Sequence, residues 1–438
     1  MFNDTGYAGM RRMPSPLRWL VGAGLSLCMV SALAAPSGWG KTVEPATPLS
    51  LQSAVELALS ANPEASAASL EVDAFDGAIL QAQARPNPEI AALMEDTRSA
   101  TRITTLQINQ AIELGGKRAA RVEAASKSRD VATVELASKR AEIRAGVVTA
   151  FFEVLIAQER RQLARSLAEL AQRASGAAQR RVLAGRVSPV EETKANVAEA
   201  NIRIELMQAE SELASARKRL AAIWGNPTPQ FERALGDIES LPALPELTDF
   251  QARLASAPLM QRARAEIERR QALAELERSR AVPDVTVSIG ARRNEELGLN
   301  QAILGVSIPL PVFDRNQGNL LEAMRRTDKA RDELVATEFQ LSGELAQTHQ
   351  RLASARSEVE TLRQDILPGA QGAFDASARG FELGKFSFLD VLDAQRTLFQ
   401  AKSQYLRALS EAHRAAAGME RLLGAADATA TPVDNQQQ

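Results

Sequence analysis

The sequence predicts a mainly helical protein with a small β part, built as two tandem copies of one structural unit. Three observations carry this. Corresponding motifs recur about 195–199 residues apart. Long Pro-free stretches dominated by Ala, Glu, Arg and Leu keep apolar residues seven apart. Three short stretches alternate apolar and polar residues with period two, and a fourth, PEIAALMEDTR, does so poorly. The first implies duplication of a large unit, the second coiled-coil helices and the third strands.

The chain begins with a basic flank, MRRMPSPLRW, an apolar core, LVGAGLSLCMV, and the small-residue pair Ala32 and Ala34. This is the layout of an exported protein's signal peptide, predicted over 1–34. The apolar run is too short to span a bilayer as a helix. The only cysteine, Cys28, lies within it.

The first copy is predicted over 35–225. A helical run, LQSAVELALSANPEASAASLEVDAFDGAILQAQA, comes first. A hairpin follows at about 86–112, in which Leu106, Ile108 and Ile112 alternate with polar or small residues. Pro86 and Pro88 stand where the chain begins its first strand, where Pro is tolerated. A helical hairpin follows at about 118–224. From Arg118 to Ala184 there is no Pro and only two Gly, so one helix could extend roughly 100 Å. The return helix carries Val190, Val197 and Ile204, then Leu206, Leu213 and Leu220, each series in steps of seven. That spacing predicts a packed seam.

Between the copies, 226–250 holds Pro227, Pro229, Pro242 and Pro245 and reads as an irregular connecting segment with short strands. The second copy, 251–424, repeats the order. A helical run leads to a hairpin at about 283–310, with Val285, Val287 and Ile289 on one face. A helical hairpin follows at about 319–423. Its seam is Leu392, Phe399 and Leu406, with His413 next in step. Pro368 is predicted to break or kink its outgoing helix. The tail 425–438 reads as disordered.

Composition narrows the function. A net charge of −2 argues against nucleic-acid binding, and two His and one Cys leave no metal site or cofactor to predict. There is no nucleophile elbow, no phosphate loop and no catalytic constellation, so the chain reads as no enzyme. Four strands of transmembrane length leave open edges, which a bilayer does not tolerate. Several chains must then close one barrel: two would give eight strands and little lumen, three would give twelve. An ordinary soluble hairpin packed on a helix is the other reading of those strands.

The turn between the long helices is written twice, as Gly185, Arg186, Val187, Ser188 and as Gly384, Lys385, Phe386, Ser387. Gly suits the end of a helix and Ser the start of the next. Pro189 fits the first helical position. Glu191 and Asp390 stand three residues after the serines, in capping-box spacing. Asp393 shares a helix face with Asp390, and capping does not account for it.

The two-copy layout, ELGGKR, PLPVFDRNQG and LGKFSFLDVLDAQRTLFQAKSQY resemble the TolC-type outer membrane efflux proteins. The second and third of these look most like the heavy-metal (cobalt–zinc–cadmium) branch. The resemblance covers roughly Leu49 to Gly424. It implies a homotrimer whose twelve-stranded barrel, set in outer membrane lipid, continues into an α-helical barrel across the periplasm. It implies as partners a periplasmic adaptor and an inner-membrane resistance–nodulation–division pump. Under it the two turns dock the adaptor. Glu191, Asp390 and Asp393 become aperture carboxylates, and Phe381 matches an aromatic gating position. Phe386 replaces a basic residue of relatives. Export of heavy-metal cations is the expected task. The same channel in drug export or protein secretion, and a soluble periplasmic coiled-coil adaptor or scaffold, are the alternatives.

Overall fold

The structure, a computed structural model, describes Glu44, residues 48–244, Glu246, 253–383 and 385–424, apart from the side chains of residues 382, 388 and 389. The expected signal peptide, part of the connecting segment, Gly384 and the tail lie outside the described residues.

The first copy runs β1 (Leu49–Ser50), α1 (Leu51–Ala61), α2 (Pro63–Gln83), β2 (Glu89–Glu95), β3 (Ile103–Ile112), α3 (Lys117–Leu183) and α4 (Pro189–Ala222). β4 (Ala234–Leu235) lies in the connecting segment and pairs in parallel with β1. The second copy runs α5 (Pro258–Arg280), β5 (Val285–Asn294), β6 (Leu299–Ser307), α6 (Gln317–Thr361), a π-helical turn (Leu362–Ile366), α7 (Leu367–Glu382) and α8 (Phe388–Leu423).

The four longer strands form one antiparallel sheet in the order β2-β3-β5-β6. Its register aligns the alternation of every strand. Ile90, Ile108, Ile289 and Leu304 stand in one row, and Ala92, Leu106, Ala291 and Ala302 in the next. That face is apolar and largely exposed through its middle, with Thr104, Arg293 and Asn300 at one end and Gln110 beside Val287 toward the other. The opposite face is polar. On it Ser288 Oγ donates to Asn109 Oδ1 at 2.7 Å, and Arg292 Nη2 meets Glu95 Oε2 at 3.1 Å. β2 alternates poorly in sequence, and its pairing to β3 fixes its register. Among the described residues β2 and β6 have a neighbour on one side only.

On the helical side, α3 packs against α2 and α5 near the sheet and against α4 and α8 further away. One core gathers Trp224, Phe151, Phe231, Leu49, Val154 and Leu220 where the first copy meets the connecting segment. The Glu44 carboxylate is buried there and fully satisfied. It accepts from Trp224 Nε1 at 2.9 Å, Asn226 Nδ2 at 2.6 Å and the backbone N–H groups of Gln230 and Phe231. A second core is aliphatic, with Leu341, Leu345, Leu352, Met419 and Leu422.

Two expectations change. Of the break or kink expected at Pro368, the outgoing helix shows no full break. The preceding five residues widen into a π turn, and the Leu367 N–H bonds the Leu362 carbonyl. The wider turn relieves the clash between the proline ring and the preceding turn, and the helix continues. The seam Val190, Val197, Ile204 is not packed within the chain: these residues are 58%, 56% and 48% exposed, whereas Leu213 and Leu220 are buried. α4 has α3 on one flank, and its apolar stripe is wider than α3 can cover.

Candidate functional site

The first turn ends α3 in a complete Schellman arrangement. Gly185 has φ +70°, its N–H bonds the Val182 carbonyl at 2.9 Å, and the Arg186 N–H bonds the Arg181 carbonyl at 2.9 Å. These bonds satisfy carbonyls that the helix end leaves without partners. Glycine, with no Cβ, takes that backbone angle at no steric cost. Ser188 then opens α4 in extended conformation, and its Oγ accepts from the Val190 N–H at 3.3 Å. Pro189 follows at the first helical position, and Glu191 and Glu192 lie in the first turn, where the helix dipole favours acids.

The second turn uses the same outline with different contacts. The Lys385 N–H bonds the Gly380 carbonyl at 2.7 Å, the six-residue link of the first turn repeated. Gly384 lies outside the described residues. Ser387 caps α8 reciprocally: its Oγ accepts from the Asp390 N–H at 3.3 Å, and its own N–H donates to Asp390 Oδ2 at 2.8 Å. The capping box expected at both turns therefore forms only here. In the first turn the Ser188 hydroxyl serves Val190, and the Glu191 N–H bonds the Ser188 carbonyl instead, at 2.9 Å. The shorter Asp390 side chain reaches back to its cap.

Asp390 and Asp393 are both exposed on the first turns of α8. Asp390 is engaged in the cap. The Asp393 carboxylate has no hydrogen-bond or ion-pair partner among the described residues, although its backbone carbonyl accepts from Thr397 Oγ1 at 3.0 Å. Glu191 is half-buried at the head of α4. Phe381 is half-buried in a seam with Ala174, Ala178, Ala195 and Leu392, with the Arg181 guanidinium 4.5 Å from its ring centre. It thus ties the end of the second copy's outgoing helix to the first copy's. Phe386 lies over Gly380, where a methyl group would collide with its ring.

Sequence reading missed two of these contacts. Arg181 and Phe381 are two hundred positions apart, and no local pattern links them. The Gly380–Phe386 pair had a signal: a glycine inside a helix four residues before the turn glycine, where copy one has Arg181.

The chain's sequence and fold are shared with known proteins. The family described as outer membrane efflux protein matches residues 54–226 and 250–425. The cobalt-zinc-cadmium resistance protein CzcC of Cupriavidus metallidurans is 51% identical over 381 residues, covering 87% of this chain and 91% of that one. The nickel and cobalt resistance protein CnrC of the same species is 30% identical, covering 64% of this chain and 67% of that one. Among solved structures, the channel CusC superposes with a TM-score of 0.71 at 18% identity, covering 86% of this chain and 92% of that chain.

Proposed function

The chain belongs to the outer membrane efflux protein family, and on that premise we propose that it is the outer-membrane exit duct of a tripartite efflux system for heavy-metal cations. The sheet is the observation that carries the duct. One face is apolar across the middle of all four strands, the other is mostly polar, and among the described residues both edges are open. In hydrocarbon the unpaired N–H and C=O groups of β2 and β6 would each cost several kcal/mol, so the sheet must close with other copies. Three copies of four strands give a twelve-stranded barrel with its polar face around the lumen.

Below the barrel, the helices α3, α4 and α6–α8 form the tunnel wall. The exposed stripe Val190, Val197, Ile204 at the rim of α4 is then covered by the next copy. The partners are an inner-membrane resistance–nodulation–division pump and a periplasmic adaptor. The six turns of a trimer, two from each chain, form the adaptor-docking ring, and Glu191, Asp390 and Asp393 line the aperture beside them.

The likeness to CzcC, over nearly the whole of both chains, supports cobalt, zinc and cadmium as cargo. No group of three or more metal-ligating side chains stands together among the described residues. A conduit conducts its cargo and does not need to bind it.

Membrane fractionation followed by electrophoresis without heating tests the duct. Trimers in the outer-membrane fraction are expected, and a monomer in the soluble fraction would overturn it. Cells lacking the protein should retain more zinc, cobalt and cadmium, with unchanged retention counting against the cargo. Bulky replacements at Gly185 and Gly384 should abolish efflux while trimers persist.

A further inference from the structure

The loop from β6 to α6 displays apolar side chains that the rest of the chain leaves uncovered. Apolar residues stand at every second position of the sequence through Leu304, Val306, Ile308, Leu310 and Val312, past the strand's end at Ser307. Leu304 is 81% exposed, Leu310 80%, Val312 61% and the adjoining Phe313 92%.

This loop is held firmly. The Val312 N–H bonds the Leu310 carbonyl at 2.9 Å, and Arg315 Nε donates to the Pro311 carbonyl at 3.2 Å. The Asn316 N–H bonds Asp314 Oδ1 at 2.8 Å, and Asn316 Nδ2 donates to the Glu277 carbonyl on α5 at 2.8 Å. A bonded polar base, Asp314 to Gln317, therefore presents an apolar tip. The first copy has no counterpart, because there the chain passes from Ile112 through Gly115 and Gly116 directly into α3. Removing apolar side chains of this size from water is favourable. A bonded loop that leaves three of them bare is built for something that covers them.

We propose that Leu310, Val312 and Phe313 form an interfacial anchor that enters the headgroup–acyl boundary of the leaflet on the tunnel side and fixes the depth of the barrel. This rests on the reading of the sheet as part of an outer-membrane barrel. Lipid is the occupant because the loop follows directly on β6, whose Leu304 and Val306 stand on the sheet's apolar face. The polar base then falls where the bilayer gives way to water, as in aromatic girdles and interfacial segments. An amphipathic patch of this kind gains by sitting at the boundary and loses on either side of it.

The test uses the full trimer in phosphatidylethanolamine–phosphatidylglycerol vesicles, with Cys28 replaced by Ser. Single nitroxide labels are placed at Phe313→Cys, Leu310→Cys, Leu304→Cys on the apolar face and Gln301→Cys on the polar face. Collision with oxygen is compared with collision with a water-soluble nickel chelate. The oxygen-to-nickel ratio at 313 and 310 should match that at 304 and exceed that at 301 several-fold. A ratio at 313 like that at 301, with 304 still in lipid, overturns the anchor and leaves the barrel standing. A label at 313 closed to both reagents means that a second copy covers the loop, which also overturns it. Nickel access at 304 itself would sink the barrel reading. As a second readout, Phe313→Trp emission should be quenched by brominated lipid, while Trp224, 1% exposed, should not be.

Discussion

The two copies of the unit share one order of elements and are reinforced at opposite ends. Where the helices meet the connecting segment, the first copy packs Trp224, Phe151 and Phe231 and buries the satisfied Glu44 carboxylate. The second copy has Leu423 at the position of Trp224, among aliphatic neighbours. At the turn the balance reverses. The first turn is a plain Schellman ending with open space around Gly185. The second adds a reciprocal Ser387–Asp390 cap, the Phe386 ring on Gly380 and, just above it, the Arg181–Phe381 contact. A duplicated unit keeps the backbone solution and lets each copy specialise where it is used. The first copy anchors the middle of the molecule, and the second carries the particular chemistry of the tip.

The largest effect that would break this contrast is in the middle. Trp224→Ala should cost about 3–5 kcal/mol from lost burial and cavity formation. It also removes one donor from the buried Glu44, adding about 1–3 kcal/mol. Leu423→Ala, lacking the second part, should cost less. The temperature at which the trimer dissociates on a gel should fall further for Trp224→Ala. Equal falls would show that the middle is not asymmetric.

Acid should act on the second copy first. His413 on α8 is buried, stacks on Phe152 at 3.7 Å, and its Nε2 lies 2.9 Å from the Ile238 carbonyl. Burial lowers its pKa below the usual imidazole value, outweighing the Ile238 bond and the nearby Asp237. The sign follows. Above the unfolded value near 6.5 the ring is neutral in both states and costs nothing. As pH falls through that value toward the lower folded one, the unfolded chain binds the proton more readily and stability is lost. The melting midpoint should drop between about pH 7.5 and about pH 5.5. His413→Leu should flatten that drop, and a parallel drop in the variant would assign the effect elsewhere.

At the tip, Asp390→Asn removes the charged arm of the cap and should cost about 1 kcal/mol. Glu191→Gln in the first turn should cost less, since its side chain does not close a box. Amide exchange at the start of α8 and of α4 would measure both. Equal acceleration at the two sites would erase the difference between the turns.

These distinctions were unevenly legible. The alternation of Val285, Val287 and Ile289 marks a strand because a sheet face repeats every second residue. Gly185 marks a helix end because few residues take its backbone angle. Both are local rules. The heptad of Val190, Val197 and Ile204 correctly marks an apolar stripe, but periodicity does not name the partner, and within one chain the stripe is bare. Pro368 reads as a break because a proline removes one hydrogen bond and crowds the preceding turn. A π turn, a tertiary accommodation, absorbs that cost. Ser188 and Glu191 have capping-box spacing, yet the box depends on side-chain reach, which spacing does not encode. Arg181 and Phe381 meet only because two copies of the unit lie side by side.

The smallest effect on stability, and the sharpest on function, should come from Asp393. It differs from Asp390 in having no structural partner, so Asp393→Asn should change folding by less than about 0.5 kcal/mol. If these acids line the aperture of the proposed trimer, Asp390 and Asp393 together would put six carboxylates around it. Two like charges about 4 Å apart repel by about 4 kcal/mol at an effective dielectric near 20, and cations relieve that repulsion. Rings of acids favour cation passage for this reason. Conductance of the wild-type trimer in planar bilayers should be cation-selective and reduced by added divalent ions. Asp393→Asn should weaken both properties while leaving the dissociation temperature unchanged. Asp390→Asn would confound the cap with the charge, whereas Asp393 isolates the charge. If selectivity and divalent block survive in Asp393→Asn, then Asp393 is an exposed acid of no consequence. The entrance charge then falls to Glu191 and to Asp390, whose carboxylate would both cap α8 and face the lumen.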